Sequence, residues 1–200
     1  MAAELAFYFD FMSPYSYLAQ SQLRPLAART GSVLRYEPVP VRGLMERVGN
    51  RPTTMECQNK LAYAMQDMGR WAAQYGIPFG PGVKLRETDA GLLLRGALAA
   101  RDKDLIAPYT HLIFEALWGE GKDLSEPGLI AAVLDEAGLP GDRLMEEARD
   151  TARADELEKA ADHAAEKGLF GTPSFLLGEA LYFGNDRLGF LEDALKRQAA

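Results

Sequence analysis

Residues that read as strands occur at the two ends of this chain of 200 residues, and a long helical stretch separates them. "ELAFYFDF", residues 4–11, is aromatic-rich and free of breakers, which suits a buried strand. A helix follows from Pro14. Pro25 removes a backbone donor and disfavours helical geometry at Arg24, so the pattern predicts a kink or restart there before Gly31 ends the helix. "SVLRYEPVPV", 32–41, is the second strand, and a strand-helix-strand unit of this length implies parallel pairing with a right-handed crossover. Strand character returns at "TPSFLL", 172–177, and after a Gly-Glu turn at "ALYF", 180–183. An amphipathic helix on Leu188, Leu191 and Leu195 closes the chain.

Between these ends, "MECQNKLAYAMQDMGRWAAQYG" places Leu61, Met65, Met68, Ala72 and Tyr75 at helical spacing, and Gly76 with Pro78 stops the run. Further helices are predicted over 88–102, 104–118, 126–137 and 142–167. The order βαβ, helical block, ββα argues for one α/β layer fold carrying a large all-helical insertion. Residues 1–42 and 168–200 form the strand-bearing unit on this reading, and 43–167 the insertion.

Composition removes several classes of function. A formal charge of −7 without a Lys/Arg cluster argues against nucleic-acid binding. Cys57 is the one cysteine, so no internal disulfide can form, and His111 and His163 lack the spacing of a zinc site; no metal is expected. The N-terminus has no basic n-region and its first apolar run is a short strand. Neither a signal peptide nor a spanning helix is expected, and the chain reads as cytoplasmic.

Three polar stretches carry the chemistry. In "FYFDFMSPYSYLA", 7–19, Ser13 and Pro14 have the makings of a helix start, the hydroxyl accepting from an orphan N–H and proline suiting the first helical position. A helix N-terminus also favours an anion, so a thiolate supplied by a ligand is stabilised there, aided by a hydroxyl donor. In "GLFGTPSF", 168–175, Pro173 sits just before a strand and fits either a cis-proline or an ordinary trans turn. With a cis-proline, Thr172 offers its backbone N–H and C=O to an extended peptide. In "FGNDRL", 183–188, Asn185 or Asp186 is expected to cap the last helix. The functional alternative is a headgroup site, with amides taking a carboxylate and Asp186 an ammonium, the charge pair of an α-amino acid.

These stretches, together with "GNRP" (49–52) and "KLAYAMQDMGRWA" (60–72), resemble in order the 2-hydroxychromene-2-carboxylate isomerases and the related kappa-class glutathione transferases. The resemblance runs over essentially the whole chain. It implies a thioredoxin-like fold with a helical insertion, a homodimer, and glutathione as cofactor. It matches Ser13 to the serine that faces the glutathione sulfur, with Pro14 and Tyr15 in the same turn. Asn50 and Lys60 match polar residues of the glutathione pocket, Thr172 matches the residue before the cis-proline Pro173, and Asn185 with Asp186 match the γ-glutamyl site. Thioredoxin-like proteins carry Cys-x-x-Cys at the first strand-helix junction. Here Ser13 and Ser16 hold both outer positions, which rules out dithiol exchange there and implies that the sulfur has moved from protein to cofactor.

Asp67, Arg70 and Trp71 also match the family's helical motif, but read more simply as an i, i+3 ion pair on a helix with a core tryptophan. Cys57 reads as a buried or incidental cysteine. The activity implied is conversion of 2-hydroxychromene-2-carboxylate, a small aromatic carboxylate, to trans-o-hydroxybenzylidenepyruvate by reversible thiolate addition. The alternatives are a kappa-like transferase that releases the adduct and a non-catalytic thioredoxin-like binding protein.

Overall fold

The computed structural model describes residues 2–80 and 84–199. Four strands form one sheet in the order β2-β1-β3-β4. β1 (Glu4–Phe9) is followed by α1 (Pro14–Thr30) and then by β2 (Val33–Pro38), which pairs parallel to β1 from Glu4↔Val33 to Phe9↔Pro38. β3 (Ser174–Leu177) lies antiparallel on the other side of β1, with Leu5 opposite Leu177, and β4 (Ala180–Phe183) pairs antiparallel with β3. The parallel and antiparallel pairings follow from connection length, since a helix joins β1 to β2 and a tight turn joins β3 to β4.

β1 is central and buried on both faces, which is why its sequence runs apolar without alternation. Leu5, Phe7 and Phe9 point into one core with Phe175, while Ala6 and Tyr8 point into another with Val39, Leu44, Leu169 and Leu176. Phe7 stacks between Phe9 and Phe175 at centroid distances of 5.2 and 5.4 Å. Each fully buried phenyl contributes about 1.5–3 kcal/mol, so this aromatic column fixes the register that delivers residues 10–13 to the end of the sheet.

The remaining helices lie between β2 and β3: α2 (Val41–Arg47), α3 (Thr53–Glu56), α4 (Gln58–Tyr75), α5 (Ala90–Arg101), α6 (Ile106–Phe114), α7 (Pro127–Glu136), α8 (Gly141–Glu147) and α9 (Thr151–Glu166). A 3-10 turn (Asn185–Arg187) and α10 (Leu188–Ala199) end the fold. The intervening helices share the sheet's core. Phe114 meets Phe9 and Phe11 at 5.7 and 4.8 Å, and the Trp118 indole donates to the Phe11 carbonyl at 2.7 Å.

The structure differs from the sequence reading in several places. α1 runs without a break through Pro25. A proline inside a helix costs about 3 kcal/mol, but buried Leu23 and Leu26 flank it and hold the helix onto the core. α2 starts at Val41, which the pattern gave to a strand. The stretch 142–167 is two helices, because the Asp150 carboxylate caps α9 by accepting from the Ala152 N–H. The stretch 104–118 ends in a π-helical turn, Glu115–Gly119. Cys57, extended at φ −120 and ψ 111, separates α3 from α4. On α4 the buried stripe is Ala64, Met68 and Ala72, packed on Leu18, and Met65 is exposed.

Candidate functional site

At the end of β1 the chain turns within three residues. The Asp10 carbonyl accepts from the Ser13 N–H at 3.0 Å, and Ser13 takes the extended conformation that precedes a helix. Its Oγ accepts from the Ser16 N–H at 3.2 Å, so Ser13 is the cap that its sequence promised, with Pro14 in the first turn. The same hydroxyl donates to the Thr172 carbonyl at 3.2 Å. The Thr172–Pro173 bond is cis, and the Gly184 N–H donates to the Pro173 carbonyl at 2.9 Å. The serine junction, the proline loop and the start of the last helical segment therefore meet at one end of the sheet. Thr172 Oγ1 and Ser16 Oγ are buried with no hydrogen-bond partner among the described residues.

Asn185 and Asp186 do not cap α10. Gly184, at φ 95, precedes a 3-10 turn that already contains both residues, and α10 begins only at Leu188. Asn185 is buried, and its carbonyl accepts from the Tyr75 hydroxyl at 3.2 Å, which ties the end of α4 to this turn. Asp186 is exposed and pairs with Arg187 at 2.8 Å.

Tyr15, two residues after Ser13, donates its hydroxyl to Asp67 at 3.0 Å. Burial pushes the Tyr15 hydroxyl well above its ordinary value, and the bond to Asp67 raises it further. It stays protonated and latches α1 to α4. The expected Asp67–Arg70 pair does not form. Arg70 instead donates to Gln66 at 3.3 Å and lies 5.8 Å over the Tyr63 ring. Trp71 is half-buried against Tyr75, with centroids 5.4 Å apart, rather than in the core.

Asn50 lies in the loop between α2 and α3. Its amide donates to the Phe170 carbonyl at 2.8 Å, and its side-chain oxygen accepts from the Arg51 N–H at 2.8 Å. A cleft of about 760 Å³ opens between residues 45–54 and 168–170 and is lined also by Phe183. Neither Ser13 nor Thr172 lines this cleft. Lys60 is exposed on the first turn of α4 and makes no hydrogen bond or ion pair among the described residues. Cys57 is exposed, so the buried alternative for it fails.

The residue that sequence reasoning missed is Asp10. It is 3% exposed, and its carboxylate accepts from the Met12 N–H at 2.8 Å and from the Val41 N–H at 2.9 Å. Burial raises its carboxyl above the usual range, while the two N–H donors and then Arg42 pull the other way. Asp10 thus joins the Ser13 turn to the start of α2. A lone acid inside "FYFDF" was the signal, since a buried charge requires partners.

Among the described residues no cluster of three metal-ligating side chains occurs, and no helix is long and apolar enough to cross a membrane. What the site presents is a helix N-terminus, a hydroxyl, the Thr172 main chain that this hydroxyl engages, and a carboxylate at Asp186. That set can bind a peptide-like anion and stabilise negative charge near Ser13.

Residues 4–196 match the family model described as a DSBA-like thioredoxin domain. A 2-hydroxychromene-2-carboxylate isomerase of Sphingobium xenophagum is 35% identical over 196 residues, covering 98% of this chain and 99% of that one. A glutathione S-transferase kappa 1 of Caenorhabditis elegans is 26% identical over 204 residues, covering 96% and 90%. Among solved structures, a selenomethionine 2-hydroxychromene-2-carboxylate isomerase superposes with a TM-score of 0.88 at 31% identity, covering 98% of this chain and 95% of that one.

Proposed function

Because the chain belongs to the DSBA-like thioredoxin domains and, among them, to the 2-hydroxychromene-2-carboxylate isomerases, we propose that it is a glutathione-dependent isomerase converting 2-hydroxychromene-2-carboxylate to trans-o-hydroxybenzylidenepyruvate. The contact between Ser13 and Thr172 carries the reading. A hydroxyl at a helix N-terminus faces a main-chain segment, at the junction where a redox thioredoxin fold would keep its thiols, and both of those positions are serine. The thiol must then come from a ligand.

The Thr172 main chain, whose carbonyl the Ser13 hydroxyl engages beside the α1 N-terminus, fits a peptide cofactor that takes over that contact. Thr172 and Pro173 would hold its main chain, Asn185 and Asp186 its γ-glutamyl headgroup, and Asn50 and Lys60 its far end. Glutathione supplies a thiolate that can add to and leave a conjugated carbon, so that a double bond rotates as a single one. Ser13, Pro14 and Tyr15 form the turn that meets the sulfur. There the Ser13 hydroxyl donates a hydrogen bond to negative charge, and the α1 N-terminus adds its dipole. The Tyr15–Asp67 latch keeps the turn in place, a positional task. The enzyme works as a cytoplasmic homodimer in this reading, with residues 1–42 and 168–200 as the thioredoxin-like unit and 43–167 as its helical insertion.

The kappa-class relative supports one rival, a transferase that releases the adduct. Dialysed protein should be inert toward hydroxychromene carboxylate and regain turnover on addition of glutathione. Release of a stable conjugate instead would favour the transferase, and full turnover without any thiol would overturn the cofactor.

A further inference from the structure

Asp10 is a buried titratable group that the proposed reaction does not use, and it lies three residues before Ser13. Its two carboxylate oxygens have separate partners. Oδ1 accepts from the Met12 N–H at 2.8 Å, a local turn contact. Oδ2 accepts at 2.9 Å from the N–H of Val41, 31 positions away and the first residue of α2. The Asp10 main-chain carbonyl takes the Ser13 N–H at 3.0 Å. One residue therefore holds the Ser13 turn by side chain and by backbone.

A turn contact alone needs one acceptor, and serine or asparagine supplies it without burying a charge. Two N–H groups converging on one side chain from different elements need an acceptor on each side, which a carboxylate has and an amide lacks. The same carboxylate sets the start of α2, and α2 in turn holds Asn50, whose N–H donates to the Met45 carbonyl at 2.8 Å. Arg42, beside Val41 on α2, is the charged side chain that acts on Asp10.

We propose that Asp10 is a positioning residue for the reaction and acts through Ser13: by tying the Ser13 turn to the first residue of α2, it holds the Ser13 hydroxyl where it can donate to the cofactor's sulfur. The assignment rests on the glutathione-dependent isomerase reading. Its sign is distinctive. A carboxylate near the turn disfavours a thiolate by its charge, so if charge alone mattered, removing it would let the thiol titrate lower. Misplacing the Ser13 donor has the opposite effect, because the thiolate loses a hydrogen bond.

Two variants break the tie from its two ends. Asp10→Asn keeps the size of the side chain and leaves one acceptor. Val41→Pro leaves Asp10 and Arg42 in place and removes the N–H at a first helical position, where proline is tolerated, after Pro40 in extended conformation. Ile130→Val, in the core on α7, is the control for lost stability. Thiolate absorbance of bound glutathione is followed against pH in the full chain, and turnover is measured with hydroxychromene carboxylate. The thiol should titrate higher in Asp10→Asn and in Val41→Pro, and kcat should fall about ten- to a hundredfold, while Ile130→Val behaves as the wild type. In a Ser13→Ala background neither change should move the thiol further.

A thiol that titrates unchanged or lower in either variant overturns the proposal. So does a shift that adds in full to that of Ser13→Ala, or a matching loss of turnover in Ile130→Val. If Asp10→Asn does not fold, Val41→Pro decides by the same readings. If glutathione does not bind the wild type, the cofactor reading falls, and hydrogen exchange on the protein alone decides for Asp10. The Met12 and Ser16 amides should exchange faster in Val41→Pro than in Ile130→Val, and equal exchange removes Asp10 as the positioning residue.

Discussion

The Ser13 hydroxyl gives its one proton to the Thr172 carbonyl, 3.2 Å away and 159 positions along the chain, while its oxygen accepts from the Ser16 N–H. A thiolate that takes that proton must release the carbonyl. Binding there is an exchange of hydrogen bonds, with a net contribution nearer 0.5–1.5 kcal/mol than the several of an isolated bond, roughly as for any hydrogen bond made in place of another.

Ser13→Ala and Ser13→Gly separate the two jobs of this residue. As a cap, alanine should cost about 0.5–2 kcal/mol of stability and glycine a few tenths. As a donor, both remove the same bond. The variants should melt at different temperatures yet share one catalytic defect, with the thiol of bound glutathione titrating higher in both than in the wild type. Thermal melts, the pH profile of turnover and thiolate absorbance measure this. Identical thiol titration in all three proteins would leave Ser13 as a cap alone.

Asp186→Asn should weaken glutathione by about 1.5–3 kcal/mol, the worth of a hydrogen bond to a charged group. Stability should hardly move, because Asp186 is exposed, caps no helix and pairs, among the described residues, with Arg187 alone at the surface. Calorimetry and melts on the same samples decide it. A lowered melting temperature with unchanged affinity would make Asp186 a structural residue.

Asp10 gives a pH dependence with a definite sign. Burial holds its folded-state carboxyl above the ordinary value of 3.8. The contribution of this group to stability is therefore fully present below that value and declines as pH rises through the raised one. Asp10→Asn cannot titrate and offers one acceptor to the two N–H groups of Met12 and Val41. It should be less stable overall, by about 1–3 kcal/mol, but with a flatter profile. Urea unfolding from about pH 4 upward should find the gap between wild type and variant narrowing as pH rises. A widening gap would mean that the two N–H donors and Arg42 outweigh burial.

The sequence was most legible where the signals are local. Ser13 with Pro14 marks a helix start within two residues, and the aromatic run at β1 admits no other element. The parallel pairing of β1 with β2 and the tight turn between β3 and β4 followed from connection lengths, whereas the place of β3 beside β1 did not. An α/β layer with a helical insertion was legible in the order of elements along the chain, and the thioredoxin-like architecture came from the resemblance. Contacts that a distant element supplies stayed hidden. α2 begins where it does because the Asp10 carboxylate meets the Val41 N–H, and Asp67 turns from Arg70 to Tyr15, a partner 52 positions earlier. Asn185 and Asp186 carry a capping composition, yet Gly184 at positive φ moves the helix start past them. The break at Asp150 was readable as a cap signal, and helical periodicity on both sides masked it.

Phe114 lies against Phe9 and Phe11, and the same apolar cluster takes in Leu23, Leu94, Leu144 and Leu195. The strands and the helices between them therefore share one apolar core. Melting should be one event for both, and a fragment holding only the ends of the chain would expose the phenylalanine column to water. Mutational freedom is divided the same way, being wide on the outer faces of the intervening helices and narrow wherever a helix meets that column. Changes at the exposed rim formed by residues 51–54 thus leave undisturbed the column that sets Ser13 in place.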